Sequence, residues 1–437
     1  MSMLIGPGAT AASLPGPNYL MVADPGARKV FFYSVPDLKL TGQLADVGLG
    51  TAATPSHGGT IVLPGGRILI NDEVAQKTLA VRIDIQGKPK VVNSVDAKLG
   101  SEAPWTAVDP QFRYYAVPSN DGGPTSTTEV VNLIDLKTFK NTQIEVENPT
   151  TEDVHPYLAG TPLTLFLALG GGKIQAFTVE DLLTGPPNTP TSEGTVGTPT
   201  HGHFISPKTK TLGITTGPGA GLDVISCGNT CSSLGTRATV PWDVDGLTGG
   251  RSSRPRLAFD GSHVLAPIPV AVTPPDATKW DQTRQDIHVT NLKTKTAERF
   301  TVGTGATSRG FPTSFIYAAF VVVHPKGDPR GDELHLINVL PGSPNYLEIV
   351  RTVKLEQMTN GPVAGVANTY PEFERRFLAI TPDGRYAFAT HGGDSKVSMI
   401  NTTTGSVTST SVPTSLTGGG YITAFRLGFP SFDLMGR

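Results

Sequence analysis

The chain of 437 residues carries 35 basic and 37 acidic side chains, a formal net charge of −2 that leaves no electrostatic footprint for nucleic acid or an anionic membrane surface. Glycine (50 residues) and proline (37) make up about a fifth of it and charged residues only 16%, which excludes long helices and coiled coils. Hydrophobic residues reach 38% and arrive in short β-branched runs, so the chain can bury a core, yet its longest purely apolar run, Phe315 to Val323, falls far short of the ~20 residues that cross a bilayer.

In chain order, the N-terminal stretch MSMLIGPGATAASLPGPNY has no basic segment ahead of its weakly apolar start, so no intact secretory signal is read there. A recurring unit follows: an apolar run, a tight turn with Pro, Asp or Gly, a second run, a Gly/Asp/Pro-rich loop, a third run ending in Asp or Asn, a turn and a fourth run. Each run is too short for a helix and the turns have hairpin chemistry, so each unit predicts a four-stranded antiparallel meander. Third strands are predicted at Val30, Leu79, Val130, Ile174, Leu222, Ile287, Leu334 and Val397, about 52 residues apart on average, a spacing suited to propeller blades. The wider steps coincide with a Pro-rich loop in the sixth unit (PIPVAVTPPDATKWDQTRQD) and an insertion around NGPVAGVANTYPEFE. The first unit lacks a run before YLMVADPG, and Tyr421 to Leu427 is left over after the eighth, so the last run is expected to complete the first blade and close the ring. The fold expected is an all-β, eight-bladed propeller spanning residues 1–437 as a single domain, with seven blades as the alternative.

The eighth unit, TPDGRYAFATHGGDSKVSMINTTTGSV, resembles the repeat of the YVTN/lactonase-like β-propellers, and LAFDGSHVLAPI with VTNLKTKT in the sixth unit is similar to it. The resemblance implies a propeller. The superfamily includes lactonases, lyases, isomerases, metal-binding periplasmic proteins and scaffolds, so it implies fold more than activity.

In a propeller, the loops entering the inner strands and the loops between second and third strands open on one face, around the axial channel. Of nine histidines, six fall in that phase: His57, His155, His201 and His203 at inner-strand entries of blades 2, 4 and 5, and His324 and His391 at the ends of second strands in blades 7 and 8. Imidazole is the commonest side-chain metal ligand, and several converging from separate blades suit a divalent Zn, Fe or Cu ion. Gly58, Gly202 and Gly392 directly follow three of them, where glycine lets the backbone approach the axis. His263 is expected in a solvated turn on the opposite face, and His288 and His335 in structural third-strand positions. Asp72 and Glu102 share the phase of the six and are the general-base candidates beside a metal; Arg254 and Arg256 could hold a substrate carboxylate, and Trp105 could wall the pocket. No G-x-S-x-G elbow, H-E-x-x-H motif or phosphate loop occurs. The two cysteines, Cys227 and Cys231, either close a small disulfide loop or are two buried thiols, and the abundance of Thr, Gly and Asn with few Lys points to a periplasmic or secreted protein.

Three function classes follow. The first is a metal-dependent enzyme, a hydrolase, lyase or oxygenase, acting on a small organic substrate through a metal-activated water or a metal-polarised carbonyl. The second is an extracytoplasmic metal-binding or metal-carrier propeller, whose partner is the metal itself. The third is a non-catalytic interaction scaffold. The long blade 6 loop, as a lid, together with Arg254, Arg256 and Trp105 tips the expectation toward the enzyme.

Overall fold

The second and third runs of each unit are apolar on both sides, a pattern that only a strand covered on both faces can satisfy. The computed structural model shows why: each blade is sandwiched between two others. It describes residues 16–49, 60–100, 105–119, 128–148, 154–185, 189–197, 199–216, 221–242, 255–258, 260–269, 277–307, 311–360, 376–416 and 420–429. Eight four-stranded antiparallel sheets form a ring, an eight-bladed β-propeller. All eight predicted third strands are third strands, for example Lys29–Val35, Ile287 within Arg284–Asn291 and Lys396–Asn401.

Burial follows strand position. The second strand of blade 4, Thr164–Leu169, is buried at every residue, whereas the outer strand of blade 2, Pro89–Asp96, exposes most of its length. Polar and charged side chains on such edges discourage pairing with another chain. The core lies between blades: Tyr157, Phe166 and Ile174 of blade 4 pack with Ile205, Leu212 and Ile214 of blade 5. Each such side chain contributes roughly 1.5–3 kcal/mol on leaving water.

Cys227 and Cys231 belong to that same interface and form a disulfide, with a Cα–Cα distance of 4.3 Å. Gly160, in the blade 4 turn with φ +93°, lies so close to the Cys231 carbonyl oxygen that a Cβ there would collide with it, which explains a glycine at this position.

Ring closure is as expected. Tyr421–Arg426 is the inner strand of the blade built from Asn18–Asp24, Lys29–Val35 and Leu40–Ala45, with register Ala23↔Tyr421 through Asn18↔Arg426. The junction is pinned by the buried Asp383 of the blade 8 PDG turn, whose Oδ2 accepts from Asn18 Nδ2 (3.0 Å) and Arg426 Nη1 (2.7 Å). Of the Pro-rich blade 6 loop, residues 277–282 form a 3-10 turn and 270–276 lie outside the described residues, as does the insertion at 361–375.

Candidate metal centre

The inner strand of blade 4, His155–Ala159, begins at His155, and that of blade 5, Pro199–Ser206, carries His203. Between Pro199 and His203 the pairing with the second strand shifts, and Gly202 takes a φ of +77° inside that irregularity. The two extra residues re-aim the strand, and the ring of His203 meets that of His155. The Nδ1 atoms of the two imidazoles are 3.2 Å apart, and both residues are buried, at 0% and 2% exposure.

Aromatic rings enclose the pair. Trp105, from the entry to the blade 3 inner strand, stacks on His155 with ring centres 5.0 Å apart and meets His203 edge-on at 6.0 Å. Tyr157 contacts His203 edge-on at 4.7 Å, its hydroxyl donating to the Gly213 carbonyl at 3.0 Å. Burial pushes the His203 pKa down to about 3, the positive charge of Arg256 adds to this, and a hydrogen bond with the Pro156 backbone opposes it. His203 is therefore neutral throughout the physiological range and needs no deprotonation to act as a ligand.

The separation fits metal chemistry. With Zn–N distances of about 2.0–2.1 Å, two ligands of a tetrahedral ion stand about 3.4 Å apart. Without an ion the same gap accommodates an N–H···N hydrogen bond between two neutral rings.

The other predicted residues are placed as follows. His57, Glu102 and Arg254 lie outside the described residues, as does the His201 side chain. Arg256 starts the inner strand of blade 6, with Nη1 donating to the Pro255 carbonyl at 3.2 Å. Asp72 ends the second strand of blade 2, its Oδ1 accepting from the Gly48 and Ala75 amides at 3.1 and 2.9 Å. His391 is buried in blade 8, Nε2 lying 2.6 Å from Ser398 Oγ, and burial with the charges of Arg376 and Lys396 holds it neutral. His324 in blade 7 lies among carboxylates, Asp281 and Glu333. Among the described residues the structure thus joins His155 to His203, while His324 and His391 stand in separate hydrogen-bond networks.

Two features were not anticipated from the sequence. Asp281 and Asp328 join His324 in a group whose ligand atoms all lie within 4.8 Å of one another and could hold a metal ion. Asp281 sits in an insertion with no counterpart in other repeats, so periodicity could not flag it. His263, expected in a solvated turn, is instead partly buried, with Nδ1 2.5 Å from Asp260 Oδ2, and the Tyr346 hydroxyl of blade 7 donates to the same oxygen at 2.9 Å.

No protein-family model and no curated protein matches the chain. Solved structures do. The chain is similar to apo AztD from Citrobacter koseri, at 13% identity and a TM-score of 0.62 over 95% of this chain and 99% of that one. A second structure of AztD from that organism gives 13% and 0.61 over 94% and 98%. The dihydro-heme d1 dehydrogenase NirN in complex with DHE gives 17% and 0.59 over 96% and 79%. At these identities the likeness concerns the fold: the chain is a β-propeller like these.

Proposed function

We propose that this protein is a metal-binding propeller of the carrier kind, which holds a divalent ion at the His155/His203 pair and acts outside the cytoplasm. The observation that carries the reading is the pair of buried imidazoles from adjacent blades, Nδ1 facing Nδ1 at 3.2 Å, with His203 neutral. His57 and His201, in the same phase of their blades, are the further ligands proposed.

The carrier reading is favoured over the enzyme because the described surroundings of the pair are aromatic and packed. Trp105 and Tyr157 cover the rings, and the general-base candidate Asp72 caps backbone amides at the start of its loop. One of the similar structures is described as the apo form of AztD, so a propeller of this shape occurs as a protein with an unloaded state. The Cys227–Cys231 disulfide supports export, since such bonds persist in oxidising compartments.

Metal analysis of untagged protein tests the proposal. A stoichiometric divalent ion is expected, and His155→Ala or His203→Ala should weaken its binding on the order of 100-fold, with the β-rich circular dichroism unchanged. His263→Ala, on the opposite face, should leave metal content alone. Metal binding unaltered in both axial variants, or no uptake by the parent, refutes it.

A further inference from the structure

His324 follows the second strand of blade 7, Tyr317–Val323, and its imidazole is fully enclosed, with 0% side-chain exposure. Its nitrogens face carboxylates on two sides, Nε2 at 2.8 Å from Glu333 Oε2 and Nδ1 at 3.4 Å from Asp281 Oδ1. A neutral imidazole has a single N–H. The shorter contact places an N–H toward Glu333, and Nδ1 then faces a carboxylate oxygen, an arrangement that a second ring proton or a cation shared between the two makes favourable. Asp281 belongs to the blade 6 3-10 turn Ala277–Gln282 and Asp328 to the blade 7 loop after His324, so two blades supply the group. The three ligand atoms all lie within 4.8 Å of one another, somewhat wider than the about 4.2 Å between trans ligands of an octahedral ion at metal–ligand distances near 2.1 Å.

The geometry points to a second cation site at this rim, separate from the axial pair, in which His324 Nδ1 and the carboxylates of Asp281 and Asp328 take a divalent first-row ion such as Zn²⁺ or Mn²⁺. One nitrogen and two carboxylates make a harder donor set than two imidazoles. Glu333 holds the imidazole through its other nitrogen, the carboxylate–histidine–metal arrangement that fixes a ligating ring. An independent observation comes from His335, two residues beyond Glu333 on the same face of Asp332–Asn338. It is 4% exposed, and its Nε2 has no hydrogen-bond partner among the described residues, although Nδ1 meets Thr352 Oγ1 at 2.9 Å. A second buried imidazole thus presents an uncommitted nitrogen on the strand that carries Glu333.

Arg330 is the built-in competitor. Its Nη2 contacts both oxygens of Asp281, at 2.9 and 2.8 Å, and Asp328 Oδ2 at 2.6 Å, so a guanidinium neutralises both carboxylates. The Arg330 side chain is 42% exposed, so solvent lies open to it once those contacts are exchanged. An ion enters by exchanging with a tethered cation, which makes the site reversible and suited to transfer rather than to storage.

Calorimetric titration of metal-free, untagged protein with Zn²⁺ tests this independently of the axial reading. Asp281→Asn with Asp328→Asn should remove one binding event that His155→Ala/His203→Ala leaves in place. Arg330→Gln should tighten that event about tenfold, a change in the direction that a folding defect does not produce. An Asp281→Asn/Asp328→Asn protein that titrates like the parent, or an Arg330→Gln protein with unchanged or weaker binding, overturns the rim site. Loss of the axial event alone leaves it standing.

Discussion

His288 sits in the third strand of blade 6 against Trp242, fully buried, with neither ring nitrogen hydrogen-bonded among the described residues. Burial lowers its pKa to about 4, against the opposing charge of Asp286 and with Arg299 and Arg284 adding to the shift. An unpaired buried polar group costs about 1–3 kcal/mol, so His288→Leu is expected to stabilise the protein by about 1 kcal/mol at neutral pH in denaturant unfolding. His203 and His335, at about 3 and 4, are likewise held neutral by burial. In each case the unfolded state binds the proton more readily than the folded one. Stability is therefore complete above the unfolded pKa near 6.5 and falls as the pH drops from there toward 4, by up to about 1.4 kcal/mol per pH unit for each group. Urea midpoints at pH 7.5 and 4.5 check this, and a protein equally stable at both contradicts it. The repeat phase grouped His155 and His203 with four other histidines, and could not show that these two rings would meet, because that depends on the irregularity in the blade 5 inner strand. It was silent on Asp281, whose segment has no repeat partner, and on Tyr346, whose contact with Asp260 depends on two blades meeting.

Strand ends show how repetition serves both structure and site. Asp24, Asp72 and His391 occupy one register position, each closing a second strand opposite a lysine: Lys29, Lys77 and Lys396. The aspartates cap their own loops and also accept an amide from the blade next door, Leu416 for Asp24 and Gly48 for Asp72, whereas His391 turns to Ser398. That equivalence was visible in ADPGARK, NDEVAQK and THGGDSK. The hydrogen bonds were not, because they depend on how far the preceding blade's crossover reaches. Blades 7 and 8 are joined differently, by a buried ion pair between Asp332 and Arg376, with Arg376 Nε 2.7 Å from Asp332 Oδ2. The guanidinium also donates to the carbonyls of Thr390 and Glu356. Removing one partner strands a buried charge, so Arg376→Ala should cost about 3–5 kcal/mol. Equilibrium unfolding measures it, and a loss below about 1 kcal/mol would mean that the pair is not desolvated.

At the scale of the ring, blade number and closure could be read from the sequence because each unit repeats its turn chemistry, while the disulfide could not, since two cysteines four residues apart fit either state. The bridge closes a very short loop, so by chain entropy Cys227→Ser/Cys231→Ser should lower stability by about 2 kcal/mol. Thermal unfolding of the variant against the parent reads this, and identical melting would show that the blade 4 to blade 5 packing suffices alone. The closing blade has one more consequence, a mechanical one. Its first pair, Asn18 with Arg426, lies at the end where both the N-terminal and C-terminal segments leave the sheet. Tension on the two ends of the chain therefore loads the hydrogen bonds of this blade one after another, as in a zipper, and not together in shear. At the fork of that zipper Asp383 grips Asn18 and Arg426 at once, so a carboxylate of blade 8 braces the strand ends where the ring would begin to open.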